Sequence, residues 1–154
     1  MDVALYQPDI PQNTAAILRT ARCFNAAVHI VGPAAFDLSD RAVRRAGLDY
    51  AARATLVRHS NWTSFLDAIG TRRTVLFTTR ASTFVTEFAF EADDILLFGQ
   101  ESAGVPDDVH AAAGATVRIP MAADTRSLNL AVSVGIGLIE GLRSSATIQL
   151  KGLA

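Results

Sequence analysis

A single cysteine, a single lysine and the lack of any membrane-length apolar run set the first limits on this sequence of 154 residues. Cys23 has no partner for an internal disulfide, so the fold asks for no oxidising compartment. The longest uncharged apolar segment, Ser127 to Ile139, falls short of the ~20 residues that span a bilayer. The start, Met1-Asp2-Val3-Ala4-Leu5-Tyr6-Gln7-Pro8, has neither the basic stretch nor the long apolar core of a secretion signal. Together these absences predict a soluble, cytoplasmic protein away from the membrane. Metal chemistry is not expected either, because His29, His59 and His110 lie far apart and no Cys or His pair has ligand spacing. Charged residues make up only 19% of the chain and half of it is hydrophobic. That excludes disorder and suggests apolar surface covered by a partner subunit. The length fits one domain over 1–154, with 144–154 as a tail that carries no signal.

The net charge of −1 excludes a bulk polyanion binder, but the charge is unevenly spread. Between Arg41 and Arg80 stand eight arginines (41, 44, 45, 53, 58, 72, 73 and 80) against Asp49 and Asp67. Thirteen of the fourteen basic residues are arginine, whose planar fork suits bidentate phosphate contacts and stacks on bases. Composition alone leaves two readings open, a nucleic-acid face and a solvated face with scattered ion pairs.

Apolar runs alternate with helical spacing along the whole chain. Strands are predicted at Val3–Tyr6, Val28–Val31, Thr55–Val57, Thr74–Thr79, Asp94–Phe98 and Thr116–Ile119. Helices are predicted over Thr14–Phe24 with Asn13 as cap, Ser39–Ala46 with Gly47 past its end, and the Trp62–Ile69 segment started by Asn61. Two more follow, Pro106–Ala113 and Ser127–Arg143. Continuous apolar strands separated by helices predict an α/β fold, a mostly parallel sheet with helices on both faces. The last helix is apolar nearly all round, with Gly135, Gly137 and Gly141 among its leucines, isoleucines and valines. Such a helix needs cover on every side, and its glycines imply close backbone approach. A homodimer through helix 127–143 is the expectation.

Ligands of open parallel sheets bind at the carboxyl ends of the strands. Four polar or glycine-bearing segments stand there: Pro8 to Asn13, Thr78-Thr79-Arg80, Gly99 to Gly104, and Pro120-Met121 running on to Asn129. Their shared placement predicts one cleft. Gly99 to Gly104 has phosphate-loop spacing but lacks the following Lys-Ser/Thr, which disfavours a nucleoside triphosphate. His29 reads as a packed core residue, His59 as an RNA-facing side chain, and Cys23 as a buried, inert thiol on an apolar helix face.

Three segments carry a resemblance: Pro8-x-Ile10-Pro11-x-Asn13 with Arg19, Leu97-Phe98-Gly99-Gln100-Glu101-x-x-Gly104, and Ile119-Pro120-Met121 with Ser127-Leu128-Asn129-Leu130. In order and spacing they resemble the three motifs of the SPOUT class of RNA ribose 2′-O-methyltransferases. Arg44 to Tyr50 and Arg58-His59 make the chain similar to the minimal members that act on the tRNA wobble ribose. The resemblance implies a C-terminal trefoil knot and S-adenosylmethionine as cofactor. It implies cofactor contacts from Phe77, Thr78, Gly99, Glu101, Gly104, Ile119, Met121, Ser127 and Leu128, with Asn13 and Arg19 as the catalytic residues. It also implies contact between the tRNA anticodon stem-loop and Arg41, Arg44, Arg45, Arg58 and His59. Guanidinium is too weak a base to take a proton, so Arg19 is read as a phosphate and alkoxide ligand and Asn13 as orienting the hydroxyl. Ala131-Val132 stands where many relatives carry small polar residues, which bears on substrate selectivity. Methylation of another tRNA or rRNA ribose, a non-catalytic RNA-binding module and a plain nucleotide-binding subunit remain as alternatives.

Overall fold

A computed structural model describes residues 1–36 and 55–145 of the chain. The predicted helix over Ser39–Ala46, Gly47, and Arg41, Arg44, Arg45 and Arg53 all lie outside the described residues, as does the tail from 146 onward. Six strands form one sheet: β1 (Asp2–Tyr6), β2 (Val28–Val31), β3 (Leu56–His59), β4 (Thr74–Phe77), β5 (Ile95–Phe98) and β6 (Ala115–Val117). Their order is β3-β2-β1-β5-β4-β6 and every pairing is parallel. Four helices are described: α1 (Pro11–Cys23), α2 (Trp62–Ile69), α3 (Asp107–Ala112) and α4 (Leu130–Ser144).

Alternate residues of a strand face opposite sides of the sheet, and here both sides are covered. Val3, Leu5, Val28, Ile30, Val75 and Leu96 meet Ile17 and Leu18 of α1 and Val134 and Leu138 of α4. On the other side Ala4, Tyr6, Val31, Leu76, Ile95 and Leu97 meet Phe65 and Ile69 of α2 and Val109 of α3. Double-sided burial is why the strands read as continuous apolar runs. Behind the sheet, fully buried Asp94 takes two hydrogen bonds from Arg73, at 2.8 and 2.7 Å, and one from the Glu91 N–H. Three donors and a full opposite charge compensate its desolvation.

Four local expectations need correction. Asn13 does not cap α1. Pro11 opens the helix behind Ile10, and Asn13 sits inside its first turn with its amide turned to other partners. The last helix starts three residues late, because Asn129 caps it through its side-chain oxygen to the N–H groups of Ala131 (2.9 Å) and Val132 (3.3 Å). Cys23 is exposed, since the buried stripe of α1 runs through Thr14, Ile17, Leu18 and Ala21 and passes it by. His59, expected to face RNA, is 8% exposed. It stacks on His29 with ring centres 5.2 Å apart, its Nε2 lies 2.9 Å from His29 Nδ1, and Phe65 of α2 covers the pair edge-on. His29 pairs with Val57, and His59 is the next residue of β3 on that same sheet face, so both rings lie beneath the helix. His29 is buried, as expected.

The far helix is not covered on all sides in the single chain. Gly137 and Gly141 face inward: a Cβ on Gly137 would lie 2.8 Å from the Phe77 ring, and one on Gly141 2.5 Å from the Met1 sulfur. Gly135 meets nothing within 4 Å, and Val132 and Ile139 are 51% and 44% exposed.

Candidate active site

The sheet order reverses where β1 lies beside β5 rather than beside its sequence neighbour alone. Chains leaving such strands in opposite directions open a crevice at their carboxyl ends. A cavity of about 550 Å³ lies there, within the range of small-molecule sites. Its walls include all nine residues expected to hold the cofactor: Phe77 and Thr78 after β4, Gly99, Glu101 and Gly104 after β5, Ile119 and Met121 after β6, and Ser127 and Leu128 before α4. Asn13 joins them from α1. The stacked rings of Phe77 and Phe98, 4.5 Å between centres, form an apolar floor that Gly137 of α4 packs beneath.

The loop after β5 is closed on itself. Gln100 and Gly104 exchange two backbone hydrogen bonds of 2.9 Å each. A Cβ on Gly99 would lie 2.4 Å from the Gly104 carbonyl carbon, and Gly104 itself has a φ of +70°. Glycine is therefore required at both ends, once for close approach and once for the left-handed backbone.

Below that loop runs a directional relay. Asn129, its oxygen spent on capping α4, donates from Nδ2 to Asn13 Oδ1 at 2.9 Å. Asn13 Nδ2 then donates to Glu101 Oε1 at 2.9 Å, and the Asp9 N–H donates to Glu101 Oε2 at 3.1 Å. Ser102 donates its hydroxyl to Asp9 Oδ2. Every amide orientation is thus set by a neighbour, which pre-organises the carboxylate of Glu101. Burial, followed by the nearby Asp9 carboxyl, pushes the Glu101 carboxyl above its ordinary value. The pairing with Glu101, then the hydrogen bond from the Ser102 hydroxyl, holds Asp9 below its own.

Arg80, His110 and Arg126 line the same cavity, and Arg80 Nη1 donates to Asp107 Oδ1 at 2.8 Å. Sequence alone gave no role to two residues of the site. Asn129 lies within the third motif, and its signal was the cap position ahead of an apolar helix. Asp9 carried none, since an acid in a proline-rich turn reads as ordinary turn chemistry. Arg19 is not brought in: it lies on the exposed face of α1, outside the cavity wall. Six residues along a helix from Asn13 amount to about 9 Å of rise and a turn of roughly 120° off its face. Arg58 is exposed on β3, away from the residues that line the cavity.

Among the described residues no three His, Cys, Asp or Glu side chains gather as a metal site, and no helix is long and apolar enough to cross a membrane.

Known proteins are similar to this chain in sequence and in fold. A tRNA (cytidine(34)-2′-O)-methyltransferase of Beijerinckia indica is 51% identical over 143 residues, covering 92% of this chain and 89% of its own. A solved structure described as giving insight into the 2-OH methylation of C/U34 on tRNA superposes with a TM-score of 0.89 at 39% identity, over 95% of this chain and 96% of the other. The SpoU methyltransferase AviRb of Streptomyces viridochromogenes, solved in complex with AdoMet, superposes with a TM-score of 0.84 at 28% identity, over 96% of this chain and 58% of that one. The model of the SpoU rRNA Methylase family matches residues 1–139, and the chain belongs to that family.

Proposed function

We propose that this chain methylates the ribose 2′-hydroxyl of the wobble nucleotide of tRNA, using S-adenosylmethionine. The observation that carries this reading is the convergence of Asn13 and the nine cofactor-contact candidates on one cavity at the switch point of the sheet. The names of its relatives support the same substrate.

The residues present fit the cofactor. Ile119, Met121 and Leu128 offer apolar surface for adenine, and the closed Gly99–Gly104 turn supplies part of the cavity wall. When bound, S-adenosylmethionine supplies a methyl group already activated by its sulfonium, so the reaction asks no metal of the protein. The chain's own task is to hold and align the acceptor, where positioning alone supplies several kcal/mol. Asn13, held between Asn129 and Glu101, orients the hydroxyl. Arg19, outside the cavity wall, grips the adjacent phosphate, and Arg41, Arg44, Arg45 and Arg58 take phosphates of the anticodon stem-loop. His59, being enclosed, supports β3 instead of touching RNA.

The active form is a homodimer through the C-terminal helix. Val132 and Ile139 are exposed on it, Leu128 just before it is 39% exposed, and the open side of Gly135 leaves room for a twin helix. The chain acts as one domain in the cytoplasm, and a trefoil knot through the segments lining the cavity accords with its strand order. Incubation with tRNA and isotopically labelled cofactor, followed by mass mapping of nuclease fragments, tests the reading. Label on the ribose of the wobble nucleotide is expected; label at another ribose, or none, contradicts it.

A further inference from the structure

Two glutamine amides meet beside the cavity, and no described contact fixes which way they face. Gln100 Nε2 donates to Gln7 Oε1 across 3.4 Å, a long bond between the carboxyl ends of the paired strands β5 and β1. Gln100 lines the cavity, one place before Glu101. Both backbones are pinned. Gln100 exchanges hydrogen bonds of 2.9 Å with Gly104, and the Gln7 N–H donates to the Val31 carbonyl at 2.8 Å. Gln7 is held at a φ of +45°, a conformation that side chains other than glycine's rarely adopt and that its surroundings must enforce. Among the described residues neither side-chain amide has another hydrogen-bond partner, whereas the amides of Asn13 and Asn129 nearby are each locked in one orientation. A glutamine amide carries a donor at one end and an acceptor at the other, and its last torsion is roughly two-fold. Turning both amides end for end therefore keeps the bond between them, now donated by Gln7. It also exchanges the group that Gln100 shows to the cavity, oxygen in one arrangement and NH2 in the other.

We propose that the Gln7–Gln100 pair reads the pyrimidine of the wobble nucleotide, and that its reversal lets one site accept cytosine and uracil alike. This rests on the ribose-methylation reading above. The base hangs from the same sugar whose hydroxyl Asn13 orients, and Asn13 is bonded to Glu101, the residue that follows Gln100 on the cavity wall. The two pyrimidines differ where an amide can tell them apart: cytosine carries an amino donor at position 4, and uracil a carbonyl acceptor there. With its oxygen toward the cavity, Gln100 accepts from the cytosine amino group. With its NH2 toward the cavity, it donates to the uracil carbonyl. Gln7 answers each turn by taking the opposite role in the bond between the two side chains. Gln100 is thus the residue that touches the base, and Gln7 is a positioning residue that acts through it.

The test compares kcat/KM on two tRNAs that differ only in carrying cytidine or uridine at the wobble position. The wild-type chain should methylate both, with values within about tenfold of each other. Gln7→Glu can only accept, so it holds the Gln100 NH2 and turns the Gln100 oxygen to the base. The ratio should then move about tenfold toward cytidine. Gln7→Lys can only donate, so it holds the Gln100 oxygen and should move the ratio toward uridine by about the same factor. A side chain that merely supports the turn would change both substrates together and leave the ratio alone. Where a Gln7 variant fails to fold in a thermal melt, Gln100→Glu decides instead: an acceptor at the base itself should favour cytidine. A ratio that stays put, or that moves the same way in both Gln7 variants, would overturn the proposal. So would a wild-type chain that accepts only one of the two pyrimidines. A wild-type chain that methylates neither wobble ribose would instead overturn the reading on which the proposal rests.

Discussion

Replacing Gly99 by alanine separates a turn that merely connects β5 to α3 from one that shapes the cavity. The added Cβ would stand 2.4 Å from the carbonyl carbon of Gly104, 2.6 Å from its oxygen and 2.7 Å from its Cα. Ordinary contact begins at 3.4 Å, so the turn must open by about 1 Å against backbone, which has no rotamer to escape into. Opening strains or breaks the two 2.9 Å hydrogen bonds between Gln100 and Gly104, each contributing about 1 kcal/mol. With an overpacking cost of about 1–3 kcal/mol, a loss of roughly 3 kcal/mol follows. For a chain of this size that is a Tm lower by about 6–12 °C in a thermal melt. Calorimetric titration with S-adenosylmethionine should show at least a tenfold weaker Kd, about 1.4 kcal/mol, because Gly99, Glu101 and Gly104 all line the cavity. Gly104→Ala serves as the contrast: its Cβ meets nothing, and only the φ of +70° costs about 1–2 kcal/mol. A Gly99→Ala chain that melts and binds like the wild type would refute the close-approach reasoning.

Asp94→Ala should destabilise the fold by about 2–3 kcal/mol in urea, since it removes the buried acceptor of three hydrogen bonds while Arg73 keeps its ion pair with Glu91; unchanged unfolding would contradict that. Asp2 is raised by burial but held well below the carboxylate range by hydrogen bonds from His29, the Ala27 N–H and Arg72. A depressed folded value contributes stability that is complete above the unfolded value, about 4, and is lost as pH falls toward the folded one. Stability measured at pH 7 and pH 3 should therefore fall less steeply for Asp2→Asn than for the wild type. Val132→Asp with Ile139→Asp should yield monomers in sedimentation, with the far-ultraviolet spectrum retained; a dimer that survives both places the interface elsewhere. Arg44→Ala with Arg45→Ala should weaken tRNA binding and flatten its salt dependence by roughly 0.7 for each single-strand phosphate no longer held, and an unchanged slope removes the patch.

Much of this fold could be read from apolar runs alone. The strands at Val28–Val31 and Ile95–Phe98 are buried on both faces, so nothing polar interrupts them except His29, itself enclosed. Asn61 was legible as a cap because its partner Ser64 is local and completes a capping box. Asn13 misled for the opposite reason: a cap residue by type, it spends its amide on Glu101 and Asn129, 88 and 116 residues away. His59 misled likewise, since polar strand residues read as exposed until a helix such as α2 is known to lie over them. The nine cofactor-contact candidates came from the motif resemblance and from strand-end placement, and one cavity gathers them all. What periodicity could not supply was the order β3-β2-β1-β5-β4-β6, which follows from long-range pairing, and the Asp9–Glu101 contact that the order permits.

A structure of the chain with bound S-adenosylmethionine bears most directly on the chemistry assigned here. Adenine should lie against Ile119, Met121 and Leu128, with the methyl group turned toward Asn13 and Glu101. Cofactor bound outside this cavity, or with its methyl turned away from those two side chains, would contradict it.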